Sequence, residues 1–343
     1  MRTSDPSLLF PDIRIGILGC AEVAKYALIA PVREVTGLTV SAIAGRDAAR
    51  AAVYAREQGV PHVYRDYQAL IDSDEVDLVY VALPNSHHCE WSIRALERGK
   101  AVLCEKPLAS NAREAAQMTD AARKSGKPLI EAFHFRYHPL ARRLGELMAA
   151  GSLGTVRSAK ARFCIPGSWL TQSNIRLRYD LAGGAAMDPG CYCVNLLRYI
   201  VGEEPEVLHA DAQCRDPDVD VAMTAKLSFP GGCVAWMHSS LVHPGASTAD
   251  IDMWLEVEGD KGKLSVRNPF MPQLGHEFKV ETAGGATSES FGLVSTYVFQ
   301  ARDVLKVMND ASDPLTPGAD GVANMRVIDQ MYLASGLPRR GRC

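Results

Sequence analysis

From Asp12 to about Phe133, short apolar and β-branched runs alternate with stretches of helical period. The runs occupy 13–18, 38–44, 78–83, 101–104 and 128–133. Between them lie segments such as Trp91, Ile93 and Leu96, closed by Gly99, while Asn111 with Glu114 three residues on predicts a capped helix running to Ser125-Gly126. Strand, helix, strand, repeated, predicts a doubly wound parallel sheet over 12–135.

The pattern changes after a helix expected over 138–150. Residues 156–163, 222–229, 233–241 and 251–258 alternate apolar and polar positions like antiparallel strands. Pro230-Gly231-Gly232 and Gly259-Asp260-Lys261-Gly262 supply turns between them. Helical period returns near 296–308 and 320–334. A second, α+β domain is therefore expected over 136–335, with a large, mostly antiparallel sheet resting one face on helices. Residues 1–11 are expected to form an arm and 336–343 a tail, whose Arg339-Arg340-Gly341-Arg342 reads as a frayed terminus.

Composition narrows the partners. A chain of 343 residues has room for two domains, and a net charge of -3 gives no electrostatic reason to expect nucleic acid or a membrane surface. Apolar runs fall short of the roughly 20 residues that span a bilayer. Asp5 and Pro6 interrupt any signal-peptide core, so the expected location is the cytoplasm. Nine cysteines, an odd number without zinc-type spacing, predict reduced thiols serving as small hydrophobes and no metal site.

Five places carry candidate chemistry, each with a plainer alternative. The turn Gly19-Cys20-Ala21-Glu22-Val23-Ala24 follows the first strand and approximates a glycine-rich pyrophosphate loop, though the same letters serve an ordinary strand-to-helix turn. Gly45-Arg46 ends the second strand, where a guanidinium suits the 2'-phosphate of NADP better than the 2'-hydroxyl of NAD; the alternative is a solvated arginine beside Asp47. Leu83-Pro84-Asn85, with His88 one turn on, could face a bound nucleotide or merely cap a helix. Glu105-Lys106-Pro107 puts an ammonium at a strand's carboxyl end, for use or simply paired in a loop. Asp188 and Tyr192, four apart on a helix expected from near Pro189, share a face that could hold a reacting group, or a helix cap and a core tyrosine. A dinucleotide over one strand end and a lysine at another together predict hydride transfer.

In their order along the chain these segments resemble the glucose-fructose oxidoreductase and inositol dehydrogenase family, Gfo/Idh/MocA. Further marks are Glu131 to Pro139, Asn174-Ile175-Arg176, Gly183 to Asn195 and Met325 to Tyr332. The resemblance spans 13–335 and implies a Rossmann domain followed by an open-faced sheet that commonly builds a homodimer or homotetramer. It implies that Gly19, Cys20, Ala21, Glu22, Val23, Gly45, Arg46, Leu83, Pro84, Asn85, His88, Glu105 and Lys106 hold the dinucleotide. Lys106 would also hold the reacting oxygen, Asp188 position the substrate and Tyr192 relay a proton. Tyrosine at that position is similar to the dihydrodiol and NADP-dependent xylose dehydrogenase branch. His134, Phe163, Trp169 and Arg176 are the expected substrate contacts, for a sugar, polyol or vicinal diol. Ala185 replaces a usual glycine, His134 a frequent methionine, and Asn195 the second acid of the inositol-type motif. The alternative activity is a dinucleotide-binding sensor that does no chemistry.

Overall fold

The computed structural model describes residues 12–216 and 218–341. The expected arm over 1–11, together with Arg342 and Cys343, lies outside them. The described residues divide into two compact units: one holds those up to Leu108, with Glu114–Tyr137 and Ser295–Ala319, the other Ala109–Arg113, His138–Val294 and those from Asp320 to Gly341.

The first unit is built on a six-stranded parallel sheet of β1 (Ile13–Leu18), β2 (Leu38–Ala44), β3 (His62–Tyr64), β4 (Leu78–Val81), β5 (Ala101–Cys104) and β6 (Leu129–Glu131). Their order is β3-β2-β1-β4-β5-β6, so the reversal between β1 and β4 opens a crevice at the carboxyl ends, where doubly wound sheets bind ligands. Central strands covered on both faces read as unbroken apolar runs, which is why all of Leu78–Val81 and Ala101–Cys104 are buried. Ile15, Ile17, Tyr80, Leu103 and Ile130 form one core with Val298, Ala301, Val304 and Val307. The helix Thr296–Asp310 thus belongs to this unit, a return of the chain after Tyr137 that periodicity alone does not reveal.

The second unit carries an eight-stranded sheet: β7 (Val156–Pro166), β8 (Glu206–Asp216), β9 (Val219–Ser228), β10 (Val234–His243), β11 (Asp252–Gly259), β12 (Gly262–Arg267), β13 (Glu277–Thr282) and β14 (Gly285–Ser288). In the order β14-β13-β12-β11-β7-β10-β9-β8, every pairing is antiparallel except β7 with β10, which is parallel. Alternation carries no strand direction, and with this single parallel pair the sheet is mostly antiparallel, as expected. Ala159, Ala161, Phe163, Met253, Leu255, Val257, Leu264 and Val266 are buried on one face, against which the helix Cys191–Val201 packs. The other face presents cross-strand ion pairs, Arg162–Asp252 at 2.5 Å and Lys263–Glu258 at 2.9 Å among them, and the half-exposed Trp236.

A correction concerns the tail. Arg340 is not frayed: its guanidinium is fully buried and pairs with Asp220 at 2.7 Å. Leu337 N donates to Tyr332 O at 2.8 Å as the chain turns back from the helix Gly318–Ala334.

Candidate functional site

In the first unit the turn after β1 depends on Gly19. Its φ is +98°, and a Cβ there would stand 2.9 Å from the Ala82 carbonyl oxygen, so neither conformation nor space admits a side chain. A helix then starts at Glu22 and continues to Val32 through a π turn at Lys25–Ile29. Ala21 precedes it in extended conformation; its carbonyl accepts from Ala24 N at 3.2 Å, but it offers no side chain to the amides of Glu22 and Val23, where an anion could bind. At the end of β2, Gly45 is buried and Arg46 exposed. Asp47 turns its carboxylate to the helix it caps, accepting from Arg50 N at 3.0 Å, while the Arg50 guanidinium donates to Cys20 O at 3.2 Å. Arg50, one helical turn beyond Arg46, is a second cation at this strand end that the sequence reading passed over.

At the next strand end, Leu83 and Pro84 lead into a 3-10 turn at Asn85–His87, and His88 is buried. The His88 ring nitrogens lie 2.8 Å from Leu83 O and 3.0 Å from Pro107 O, so this side chain ties the Pro84 loop to the Lys106 loop. Burial pushes His88 down to about 4, against the upward pull of both carbonyls. The ring is therefore neutral near pH 7 and donates to one of the two.

Lys106 follows β5 and is half-buried; the Lys106-Pro107 peptide is cis. Its neighbour Glu105 accepts from the fully buried Tyr80 hydroxyl at 2.5 Å and from Lys106 N at 3.3 Å. Burial first, then the Glu105 charge, raises the Tyr80 phenol well above its usual range, so it stays a donor. From β6, Glu131 accepts from Leu108 N at 2.8 Å and fixes the far side of the loop. His134 is 2% exposed, shares a hydrogen bond with the Thr296 hydroxyl at 2.8 Å and lies 4.0 Å from the Tyr297 ring centroid. Burial, helped by the Lys106 charge, pushes it down to about 3, which makes it a neutral neighbour of that ammonium.

In the second unit Asp188 sits within a π turn at Ala186–Gly190 that runs directly into Cys191–Val201. Gly184, at φ +139°, permits this entry, since a Cβ would lie 2.1 Å from Asp220 Oδ1. Arg176 Nε donates to Asp188 Oδ2 at 2.6 Å, joining two of the expected substrate-site residues. Tyr192 is 6% exposed, with Phe163 and Phe270 each at 5.4 Å and stacked on one another at 5.2 Å. Phe270 was missed because nothing around Asn268-Pro269-Phe270 has a strand or helix period. Trp169 is exposed in the loop after β7 and donates to Ala246 O at 3.0 Å. Asn195 donates to Asp320 at 3.0 Å.

Among the described residues, Cys164, His243 and Asp252 bring one possible metal ligand each within 4.8 Å of one another. Arg162 already supplies the positive charge there by pairing with Asp252. No described helix is long and apolar enough to cross a membrane.

The first unit's arrangement fits a dinucleotide phosphate; the second unit's fits a polar, hydroxyl-bearing ligand beside a phenol. Comparison with known proteins agrees. Residues 13–133 match the model of an oxidoreductase family with an NAD-binding Rossmann fold, and residues 141–265 that of the GFO/IDH/MocA C-terminal domain. The chain is 34% identical to D-xylose 1-dehydrogenase (NADP(+)) 2 of Haloferax volcanii, over 92% of this chain and 95% of that one. It is 36% identical to trans-1,2-dihydrobenzene-1,2-diol dehydrogenase of Danio rerio over 68% of this chain and 74% of that one. A 3-ketoreductase from Actinomadura kijaniata, solved with NADP and TDP-benzene, superposes with a TM-score of 0.85 at 28% identity, covering 97% and 100% of the two chains.

Proposed function

We propose, for a chain that belongs to the GFO/IDH/MocA oxidoreductase family, the NADP-dependent interconversion of a hydroxyl and a carbonyl group on a sugar, polyol or vicinal diol. The observation that carries this reading is the 34% identity to an NADP-dependent xylose dehydrogenase over nearly the whole of both chains. Gly19, Cys20, Ala21, Glu22 and Val23 would hold the pyrophosphate, and Gly45 and Arg46, with Arg50, the phosphorylated ribose. Leu83, Pro84, Asn85, Glu105 and Lys106 would border the nicotinamide, with His88 keeping two of their loops in register. Bound NADP supplies the hydride acceptor or, when reduced, the donor.

The chain's own residues manage the oxygen and its proton. In the oxidative direction Tyr192 Oη takes the hydroxyl proton while Lys106 Nζ stabilises the oxygen as charge develops on it; in the reductive direction Tyr192 Oη returns the proton. Asp188, oriented by Arg176, accepts from a neighbouring substrate hydroxyl. Phe163 and Phe270 hold the Tyr192 ring in one orientation. Trp169 borders the substrate, and His134, neutral, backs Lys106 without competing for the carboxylates around it.

The open face of the large sheet is proposed to bind a second copy of the chain, supported by its Trp236 and its row of cross-strand charges. A reducing, cytoplasmic setting is supported by the nine cysteines, an odd number without zinc-type spacing, several of them buried among apolar residues. The test of the activity is a screen of NADP and NAD with D-xylose, other pentoses, hexoses, inositols and trans-dihydrodiols, after cofactor binding is confirmed by thermal protection. NADP-linked turnover of at least one class is expected. Cofactor binding without turnover of any class would replace the enzyme with a sensor.

A further inference from the structure

The buried arginine near the chain's end is the part of the molecule that the proposed chemistry does not use. Arg340 Nε donates to Gly183 O at 2.8 Å, Nη2 to Asp220 Oδ1 at 2.7 Å and Nη1 to Pro338 O at 3.1 Å. Its guanidinium lies 4.0 Å from the centroid of the Tyr332 ring and 5.1 Å from that of Tyr179. The Arg340 carbonyl accepts from Asn111 Nδ2 at 2.9 Å. Asp220, also buried, accepts in addition from the Tyr332 hydroxyl at 3.0 Å and from Ala186 N at 2.7 Å, while its backbone oxygen accepts from Ala185 N at 2.9 Å. One buried ion pair therefore grips the Gly183 carbonyl and two consecutive amides, ending two residues before Asp188.

Removing an arginine and an aspartate from water is costly, and apolar packing of similar volume would serve stability at least as well. What the pair adds is a single geometry for the backbone that enters the π turn. We infer that the C-terminal segment 337–340 is a positioning part of the substrate site: Arg340, acting through Asp220 and Gly183, sets the path on which Asp188 and Tyr192 are presented. The inference rests on the roles proposed above for those two residues, but the rigidity it assigns to the turn can be measured without them.

The experiment compares full-length wild type with Arg340→Met, Arg340→Lys and, as a control on the exposed neighbouring side chain, Arg339→Ala. In Arg340→Met, amide hydrogen exchange across 183–192 rises about tenfold or more while segments of the first-unit sheet are unchanged. kcat/KM for D-xylose, or for whichever sugar or diol the screen finds, falls roughly 10- to 100-fold per folded molecule, with NADPH affinity held within about twofold. Arg340→Lys recovers part of the loss, and Arg339→Ala matches wild type. If Arg340→Met does not fold, the double variant Arg340→Met with Asp220→Asn removes both buried charges and carries the same measurements. Unaltered exchange across 183–192 overturns the inference whether or not a substrate is known. A lower melting temperature with unaltered kcat and KM also overturns it, because that is what a purely structural pair would show.

Discussion

Around Lys106, the first unit is held by a phenol, an amide and two carbonyls: Tyr80 on Glu105, Leu108 on Glu131, and His88 between Leu83 and Pro107. Around Asp188, the second unit is held by opposite charges: Arg176 on Asp188, Arg340 on Asp220, and Arg198 on Asp320 and Glu204. The loops bordering the proposed cofactor thus depend on an imidazole that burial keeps neutral, whereas the turn bearing the proposed substrate residues depends on guanidiniums that never lose their proton and on Asp220, whose carboxyl burial raises against the pull of Arg340, so that its taking up a proton in acid does not disfavour the fold. Acid should disturb the first arrangement before the second, and loss of one partner should be felt most in the second.

The largest effect expected breaks the comparison at its functional centre. Lys106→Met removes the ammonium and leaves the supports around it. Turnover should fall on the order of 10³-fold, the scale for losing a preorganised stabiliser of a developing oxyanion, with NADPH affinity little changed. Near-normal turnover would take the lysine out of the mechanism and leave the second unit's charged cluster as the whole of it.

Acidification comes next. His88 and His134 have native values of about 4 and about 3, below the ordinary 6.5, so the folded state favours their neutral forms. Their contribution to stability is fully present above pH 6.5 and is lost as pH falls from there toward those native values, roughly 3 kcal/mol from His88 alone by pH 4. The second unit has lowered imidazoles of its own: burial, then the charge of His276, pushes His138 down to about 4, and burial, then the charge of Arg162, lowers His238. The contrast must therefore be read locally, by hydrogen exchange. Segments 83–88 and 105–108 should open before 183–192 as pH drops, and His88→Gln should flatten the acid dependence of the former. Simultaneous opening of all three would dissolve the distinction.

A smaller effect sharpens the cofactor end. Arg46→Ala should lower the preference for NADP over NAD roughly tenfold to a hundredfold, the range of a charge-assisted hydrogen bond. Combined with Arg50→Ala, it tests whether two cations share the phosphate. An unaltered ratio of the two kcat/KM values in both variants would place the 2'-phosphate elsewhere.

The two regions also differed in how far they could be read from the letters. Glu105, Lys106 and Pro107 are adjacent, and His88 reaches its carbonyls across 5 and 19 positions, so strand ends and a motif located the first region closely. Gly183 and Asp220 lie 157 and 120 positions from Arg340, and no local pattern links them; a basic tail after a helix looks the same whether solvated or buried. Among strands, β8 was not anticipated because most of its residues are exposed, which removes the alternation that marks a half-buried strand. β3 is three residues long, too short for a period to show. The Rossmann half was legible because its central strands are buried on both faces.

The smallest effect expected tests whether charge really orients Asp188. The Arg176 side chain is 38% exposed and that of Asp188 17%, so their pair at 2.6 Å is partly screened and its net attraction modest. Its value lies in orientation, because an aspartate held from one side by a guanidinium presents its other oxygen to a hydroxyl in one direction. Arg176→Met, of similar length but uncharged, should raise KM for the substrate about three- to tenfold with a smaller change in kcat. Added salt should raise the wild-type KM and leave the variant's nearly flat, because screening has then little left to weaken. A variant that kept the wild-type salt dependence would show that another group holds Asp188. The charged half of the comparison would then rest on the pairs made by the buried Arg340 and Arg198 guanidiniums, where salt reaches least.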